Sequence, residues 1–189
     1  MRRIFALLLL MALPAALHAA PDQYRLTPET SRVGFVARMG AQQVTGRFPI
    51  RSADIALDFV DLSRCHITVT LSIAGASADM PLAADALKSA SILNARQFPE
   101  AVFTSTGISG TVAAAQVTGL LTLRGTARPL TLQAEVMRQR GTLAGDLSRM
   151  TVHLTGQIRR SDYGATGWAD VVGDIVRLDI LARITRAAP

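Results

Sequence analysis

Apolar and polar residues alternate along most of the sequence after residue 30, and this alternation constrains the fold more than any other feature. The segment 66–73 reads HITVTLSI, and the segment 150–158 reads MTVHLTGQI. Successive side chains of a β-strand point to opposite faces of a sheet, so each such segment predicts a strand with one apolar and one polar face. Strands of this type belong to antiparallel sheets.

About eight or nine segments carry a strand pattern, and several exceed the usual length of about five or six residues. Long strands joined by short turns favour a closed barrel, because closure leaves no exposed sheet edge. We therefore predict an all-β fold, an extended antiparallel β-barrel of about eight strands, with a two-sheet sandwich as the alternative. The segments are 33–38, 44–50, 54–59, 66–73, 101–109, 112–124, 130–136, 150–158 and 176–184.

Two stretches interrupt the strand pattern. Residues 81–95 read PLAADALKSASILNA, with apolar residues three and four apart, which predicts one short amphipathic helix near residues 82–95. Such a helix either plugs one mouth of the barrel or packs against its core. Residues 160–172 form a glycine-containing loop with Tyr163 and Trp168. These two aromatic residues either contact a ligand at a barrel mouth or only cover the barrel end.

The N-terminal residues resemble a secretory signal peptide. Arg2 and Arg3 precede an apolar run of about ten residues and a stretch of small residues. That run is much shorter than the roughly 20 residues that span a bilayer. We expect residues 1–19 to be removed, with cleavage after Ala19 or Ala20, and residues 20–189 to form one exported domain in a bacterial periplasm that does not span a membrane.

Charged and nucleophilic residues show no catalytic pattern in the sequence. His66 and His153 fall on the polar faces of their strands, and the pair Asp58 and Asp61 falls at a strand edge and turn. No metal-ligand spacing, nucleophile motif or phosphate-binding glycine loop occurs, so we expect no enzyme activity, metal or cofactor. Cys65 is the only cysteine and is expected to be inert.

Charge gives little indication of a partner. Without Arg2 and Arg3 the chain has 18 basic and 14 acidic residues, a net charge of +4. The arginines are scattered, which argues against nucleic-acid binding. Mild attraction to an anionic membrane surface is the better interpretation.

The apolar faces of the strands are the most informative feature for function. They consist mostly of Ala, Val, Ile and Leu, and a barrel of about eight strands either fills its interior with side chains or holds one small ligand. A lumen of this kind suits a hydrocarbon chain, since affinity grows with the apolar area removed from water. The same residues could form a dry core, so a structural or interaction domain remains an alternative, with an uncharacterised hydrolase a weaker one.

Strand parity identifies the residues that would share such a lumen, because a shift of one residue exchanges the two faces. The helix should contribute two leucines at one end, and the loop two aromatic residues at its mouth. The predicted ligand-binding residues are Phe35, Phe48, Leu71, Leu87, Leu93, Phe103, Leu121, Leu123, Ile158, Tyr163 and Trp168.

Five separate motifs resemble the YceI family of polyisoprenoid-binding periplasmic proteins. Each motif alone is weak, but together they occur in the family's order over nearly all of residues 24–184. They are SRVGF at 31–35, VTGRF at 44–48, QFPEAVFTST at 97–106, VTGLLTLRGTARPL at 117–130, and RSDYG at 160–164 followed by VGDIV at 172–176.

The resemblance implies an extended, lipocalin-like barrel with a lipid chain in its lumen. It implies a carrier or sequestering protein whose ligand is a polyisoprenoid, an isoprenoid quinone or a fatty-acid-like molecule, with no cofactor. It is also compatible with a homodimer and with transient membrane contact.

Overall fold

The computed structural model describes residues 20–138, 143 and 145–188. The predicted signal peptide, residues 1–19, lies outside the described residues. The boundary of the mature domain therefore stays a prediction. The strands and the helix are β1 Asp22–Leu26, β2 Arg32–Met39, β3 Gln42–Phe48, β4 Ile50–Leu57, β5 His66–Ser72, β6 Ser77–Ala78, α1 Pro81–Lys88, β7 Glu100–Gly110, β8 Ala114–Leu123, β9 Thr126–Arg138, β10 Arg149–Arg159 and β11 Val172–Arg186.

The strands form a closed antiparallel barrel. Eight of them follow one another around the ring in the order β1, β4, β5, β7, β8, β9, β10 and β11, and β1 pairs with β11 to close it. Tyr24 lies opposite Arg186 at this closure. The prediction of an all-β barrel of about eight strands is confirmed, and the sandwich alternative is wrong because the ring has no open edge there.

The remaining strands extend one part of the wall. β2 pairs with β11 beyond β1, β3 pairs with β2, and the two-residue β6 pairs with β3. Pro49 lies between β3 and β4, so the predicted strand 44–50 divides at that residue. Proline has no N–H to donate to a sheet ladder, which accounts for a break at this point.

The connections define two ends of the barrel. Residues 40–41, 73–99 and 160–171 join strands at one end, which we call the helix end because it carries α1. The opposite end, which we call the far end, carries the β4–β5 connection at 58–65 and the β7–β8 connection at 111–113.

Helix α1 is shorter than the sequence pattern predicts, since it ends at Lys88 rather than near residue 95. Ser89 has an extended backbone with ψ of 161°, and its hydroxyl donates a hydrogen bond to the Ala86 carbonyl at 2.6 Å. Serine competes with the helix ladder in this way and favours helix ends. The chain then continues in turns, in which Asn94 takes a positive φ of 48°.

Candidate ligand-binding cavity

A large apolar cavity runs through the interior of the barrel. Its volume is about 740 Å³, within the range of roughly 300–1,000 Å³ that is typical of small-molecule sites. Residues from the barrel strands, from α1 and from the 160–171 loop line it. The lining side chains are almost all apolar, and among the described residues the charged ones are Arg38 and Arg160.

Strand β8 shows how the alternation builds this wall. Leu121 and Leu123 face the lumen and are each 8% exposed, whereas Leu120 lies on the outer face and is 44% exposed. Leu121 pairs with Phe103 on β7, so the two lumen residues lie side by side on neighbouring strands.

Two phenylalanines lie against glycines on the neighbouring strands. Phe35 pairs with Gly46, and a Cβ atom placed on Gly46 would collide with the Phe35 ring. A Cβ atom on Gly119 would meet the Phe103 ring in the same way. The missing side chains let both rings lie close against the wall, a known pairing of aromatic residues with strand glycines. This arrangement leaves more of the lumen open.

At the helix end, the cavity is bordered by segments that hydrogen bonds hold together. The Gly167 N–H donates to the Ser91 carbonyl, and the Gly40 N–H donates to the Val171 carbonyl. Leu82 and Trp168 both line the cavity here and yet are 86% and 60% exposed. The helix end is therefore a mouth with an apolar rim.

Arg160 organises the loop at this mouth. Its residue surface is only 7% exposed, and its guanidinium donates to four backbone carbonyls rather than to a carboxylate. Buried cations need such partners, because an unsolvated charge is costly. The acceptors are the carbonyls of Ala165, Gly167, Val172 and Gly173.

The neighbouring residue anchors the same loop to β11. The backbone N–H and the hydroxyl of Ser161 both donate to the Asp174 carboxylate at 2.9 Å. The Ser161 backbone N–H is the main reason that the pKa of Asp174 lies below its usual range. Hydrogen bonds to a carboxylate favour its charged form, so this contact is strongest when Asp174 is ionised.

The far end is occupied by a second packed cluster. Tyr24, Ile55, Met150 and Ile184 are buried together there. The Tyr24 hydroxyl donates to the Leu147 carbonyl at 2.9 Å. Ile55, Met150 and Ile184 also line the cavity, so the cavity extends to this cluster at the far end.

Ten of the eleven residues proposed from the sequence line the cavity. Leu87 and Leu93, from the helix segment, and Trp168, from the loop, lie at the same end. Whether these residues bind a ligand stays a prediction. The residues are Phe35, Phe48, Leu71, Leu87, Leu93, Phe103, Leu121, Leu123, Ile158 and Trp168.

Tyr163 is placed differently from the expectation. Although it belongs to the 160–171 loop, it is buried in the core cluster and is not among the lining residues. Burial raises the pKa of its hydroxyl, because the charged form would lose its hydration. The sequence analysis did not predict that Arg38 and Arg160 would be among the lining residues. For Arg160, its position at the start of the RSDYG motif was the available signal.

The histidine and aspartate residues that the sequence analysis considered for catalysis have hydrogen-bond partners in the structure. His153 Nε2 is 2.7 Å from Asp179 Oδ1, and Asp179 also pairs with Arg32. Asp58 accepts hydrogen bonds from the turn that follows it. Among the described residues no cluster of His, Cys, Asp and Glu has the arrangement of a metal site.

Cys65 lines the cavity but has local partners. Its sulfur accepts a hydrogen bond from the Asp58 N–H at 3.2 Å, and burial raises the pKa of the thiol.

None of the helices in the described part has the length and apolar character required to cross a bilayer.

Comparison with known proteins agrees with this architecture. A family model described as "YceI-like domain" matches residues 24–184. Protein YceI from Salmonella arizonae is 28% identical over 151 residues, which is 78% of each chain.

Two solved structures share the fold. BcnA of Burkholderia cenocepacia has a TM-score of 0.74 at 21% identity, covering 84% of this chain and 99% of BcnA. A domain from Saccharophagus degradans, described as a polyisoprenoid binding domain implicated in plant cell wall breakdown, has a TM-score of 0.64 at 14% identity, covering 88% and 99%.

Proposed function

Because the chain belongs to the YceI-like domain family, we propose that it is a lipid-binding protein that holds one long apolar molecule in the barrel lumen as a carrier or sequestering protein. The observation that carries this proposal is the continuous apolar cavity of about 740 Å³. Polyisoprenoids, isoprenoid quinones and fatty-acid-like molecules share the required chemistry, a long hydrocarbon chain. The polyisoprenoid binding described for the Saccharophagus degradans domain supports the first of these.

The apolar lining of the cavity favours a hydrocarbon chain on energetic grounds. Each methylene group that moves from water into an apolar lumen contributes about 0.8 kcal/mol. The lumen offers very few polar groups that would have to be desolvated. A flexible chain without polar groups along its length therefore gains most from this site, whereas a sugar, peptide or nucleotide would lose hydrogen bonds to water without replacement.

The cavity also distinguishes this proposal from its rivals. A structural domain would gain stability from a filled core, since voids cost dispersion contacts. A hydrolase would need a nucleophile beside a base, and the described polar residues of the lining, Arg38, Cys65, Thr111 and Arg160, provide no such pair.

The test is native mass spectrometry of the mature protein purified without detergent. We expect an adduct with the mass of a lipid, extractable into organic solvent and restored when geranylgeraniol is added to the delipidated protein. Trp168 is the only tryptophan and lines the cavity, so its emission should change on reloading. A chain that never carries an adduct and shows no change in emission with any of the three lipid classes would refute the proposal.

The location proposed is the periplasm, reached through cleavage of residues 1–19. The mature protein recovered from a periplasmic fraction should begin at Ala20 or Pro21, which intact mass and N-terminal sequencing would establish. Recovery of the chain with Met1 retained would refute this part of the proposal.

Loading from a membrane would use the apolar rim of the mouth. Leu82 and Trp168 are exposed there beside the cavity, and tryptophan favours the boundary between lipid and water. Vesicles of phosphatidylcholine and phosphatidylglycerol should shift the Trp168 emission to shorter wavelength, and Leu82→Ser should weaken this shift. An unchanged emission spectrum would mean that the ligand reaches the mouth through water or from another protein.

A further inference from the structure

Three exposed arginines lie close together on the outer face of the barrel wall near the helix end. They are Arg38 on β2, Arg159 on β10 and Arg177 on β11. The residues on either side of each arginine in the sequence line the cavity. Because successive side chains of a strand point to opposite faces, the three arginines belong to the outer face of the wall.

The register of the sheet brings these arginines together. Arg177 lies opposite Gln157 on β10 and Val36 on β2. Arg159 and Arg38 lie two residues farther toward the helix end on those two strands. Diagonal neighbours of this kind are about 7–8 Å apart. We call the surface formed by Arg38, Arg159 and Arg177 the arginine face.

An exposed isoleucine lies among the three arginines. Ile175 is 40% exposed on β11, directly opposite Arg159 and two residues from Arg177. On the other side of β11, a Cβ atom placed on Gly173 would lie 3.4 Å from the Arg38 Cβ. The arginine face therefore combines positive charge with an apolar side chain at its centre.

The arginine face continues into the apolar rim of the mouth. The N–H of Gly40, two residues after Arg38, donates to the Val171 carbonyl, and the Val171 N–H donates to the Trp168 carbonyl. Val171 is 47% exposed, and Trp168 is exposed as well. The charged wall and the apolar rim thus form one continuous surface.

Few carboxylates balance the charge of the arginine face. None of its arginines forms an ion pair with a described carboxylate, whereas Arg32, farther along the wall, pairs with Asp179. Asp174 feels the charge of Arg159, and Asp170 is exposed in the loop, so two nearby carboxylates oppose three arginines. Like charges at neighbouring sheet positions repel one another, and an anionic partner would relieve this repulsion.

We propose that the arginine face and the adjoining apolar rim dock the protein on a bilayer that contains anionic phospholipid. This inference rests on the proposed lipid-binding function and names the kind of membrane from which the mouth takes up its ligand. Arginine binds phosphate oxygen atoms through charge-assisted, often bidentate hydrogen bonds. The exposed apolar side chains enter the boundary between head groups and acyl chains, where tryptophan is favoured. The wall formed by β2, β10 and β11 then faces the membrane, with the mouth beside it.

The test measures sedimentation of the mature protein with vesicles of two compositions. One is phosphatidylcholine alone, and the other is phosphatidylcholine mixed with an equal amount of phosphatidylglycerol. Each arginine near an anionic surface contributes roughly fivefold in affinity, so we expect the mixed vesicles to bind about tenfold more tightly or better. Added salt should reduce this difference, since exposed charges are screened.

Matched variants locate the docking surface. Arg177→Gln should lower the affinity for the mixed vesicles about fivefold, and adding Arg159→Gln should lower it about fivefold again. Neither change should alter the affinity for phosphatidylcholine vesicles. Arg183→Gln removes the same charge from an exposed position of the same strand nearer the far end, and should change neither affinity.

The outcomes separate membrane docking from ligand binding. Equal affinity of the wild-type protein for the two vesicle types, or equal affinity of Arg177→Gln and Arg183→Gln for the mixed vesicles, would overturn the docking surface. Titration with geranylgeraniol without vesicles, followed by Trp168 emission, reports lipid binding separately, and Arg177→Gln should leave it unchanged. A wild-type protein that binds neither geranylgeraniol, an isoprenoid quinone nor palmitate would overturn the lipid-binding function itself.

Discussion

Placing a charge on either face of β8 tests whether the barrel has an open apolar lumen. The chain offers a matched pair, because Leu120 and Leu121 are adjacent leucines with opposite orientations. Leu121→Arg would replace a lumen side chain by a guanidinium with no carboxylate among the lining residues to pair with. Leu120→Arg would make the same substitution on the outer face.

The expected cost differs by several kcal/mol between the two variants. Leaving an uncompensated charge in an apolar interior costs about 3–5 kcal/mol. In a domain of this size each kcal/mol lowers Tm by about 2–4 °C, so Leu121→Arg should lower it by about 6–20 °C. Leu120→Arg should stay within about 0.5 kcal/mol of the wild-type protein.

Thermal unfolding followed by circular dichroism gives the stability, and native mass spectrometry gives the bound lipid. We expect Leu121→Arg to lose the lipid adduct and Leu120→Arg to retain it. If Leu121→Arg does not fold, Leu121→Gln provides an uncharged polar side chain of similar length for the same comparison. Equal stability and equal lipid content in the two Arg variants would refute the assignment of Leu121 to a ligand-filled lumen.

Three other changes probe the packing, the thiol and the loop. Gly119→Ala should cost about 1–3 kcal/mol in urea unfolding, because its methyl group would collide with Phe103; an unchanged midpoint would contradict that packing. Cys65→Ser should cost about 1 kcal/mol at most and leave the lipid content unchanged, and the raised pKa of the thiol should slow its alkylation by iodoacetamide near neutral pH relative to glutathione. The pKa of Asp174 is lowered in the folded protein, so its ionised carboxylate stabilises the 160–171 loop at pH values above the usual carboxylate pKa, and this stabilisation is lost as the pH falls through the folded pKa. We expect acidification through that range to change the Trp168 emission, and Asp174→Asn to abolish this change.

Strand parity explains why most of the lumen-facing side chains could be predicted from the sequence. In a strand, the orientation of one side chain determines that of its neighbours, so the apolar positions of β8 had to share one face. The same reasoning places Phe35 and Phe103 inside. The order of the motifs also indicated the family, which in turn indicated a closed barrel rather than a sandwich.

In segments without a regular alternation of apolar and polar residues, side-chain orientation could not be predicted in this way. In the 160–171 loop, orientation depends on contacts with distant elements, so Tyr163 is buried while Trp168 lines the mouth. Helix α1 ends where Ser89 bonds back to its last turn, although the apolar spacing continues. The role of Arg160 follows from four carbonyls that only the folded loop brings together.

The fold class and the two faces of most strands follow from local alternation along the chain, so the amino-acid sequence is sufficient to predict them. The amount of space between the walls of the barrel depends on side chains that meet across the lumen from distant parts of the sequence, so only the folded chain specifies it. The folded chain also brings Met150 and Tyr24 together in the buried cluster at the far end and leaves Trp168 exposed beside the cavity at the helix end. These properties arise from closure of the ring, and no single strand contains the information that specifies them.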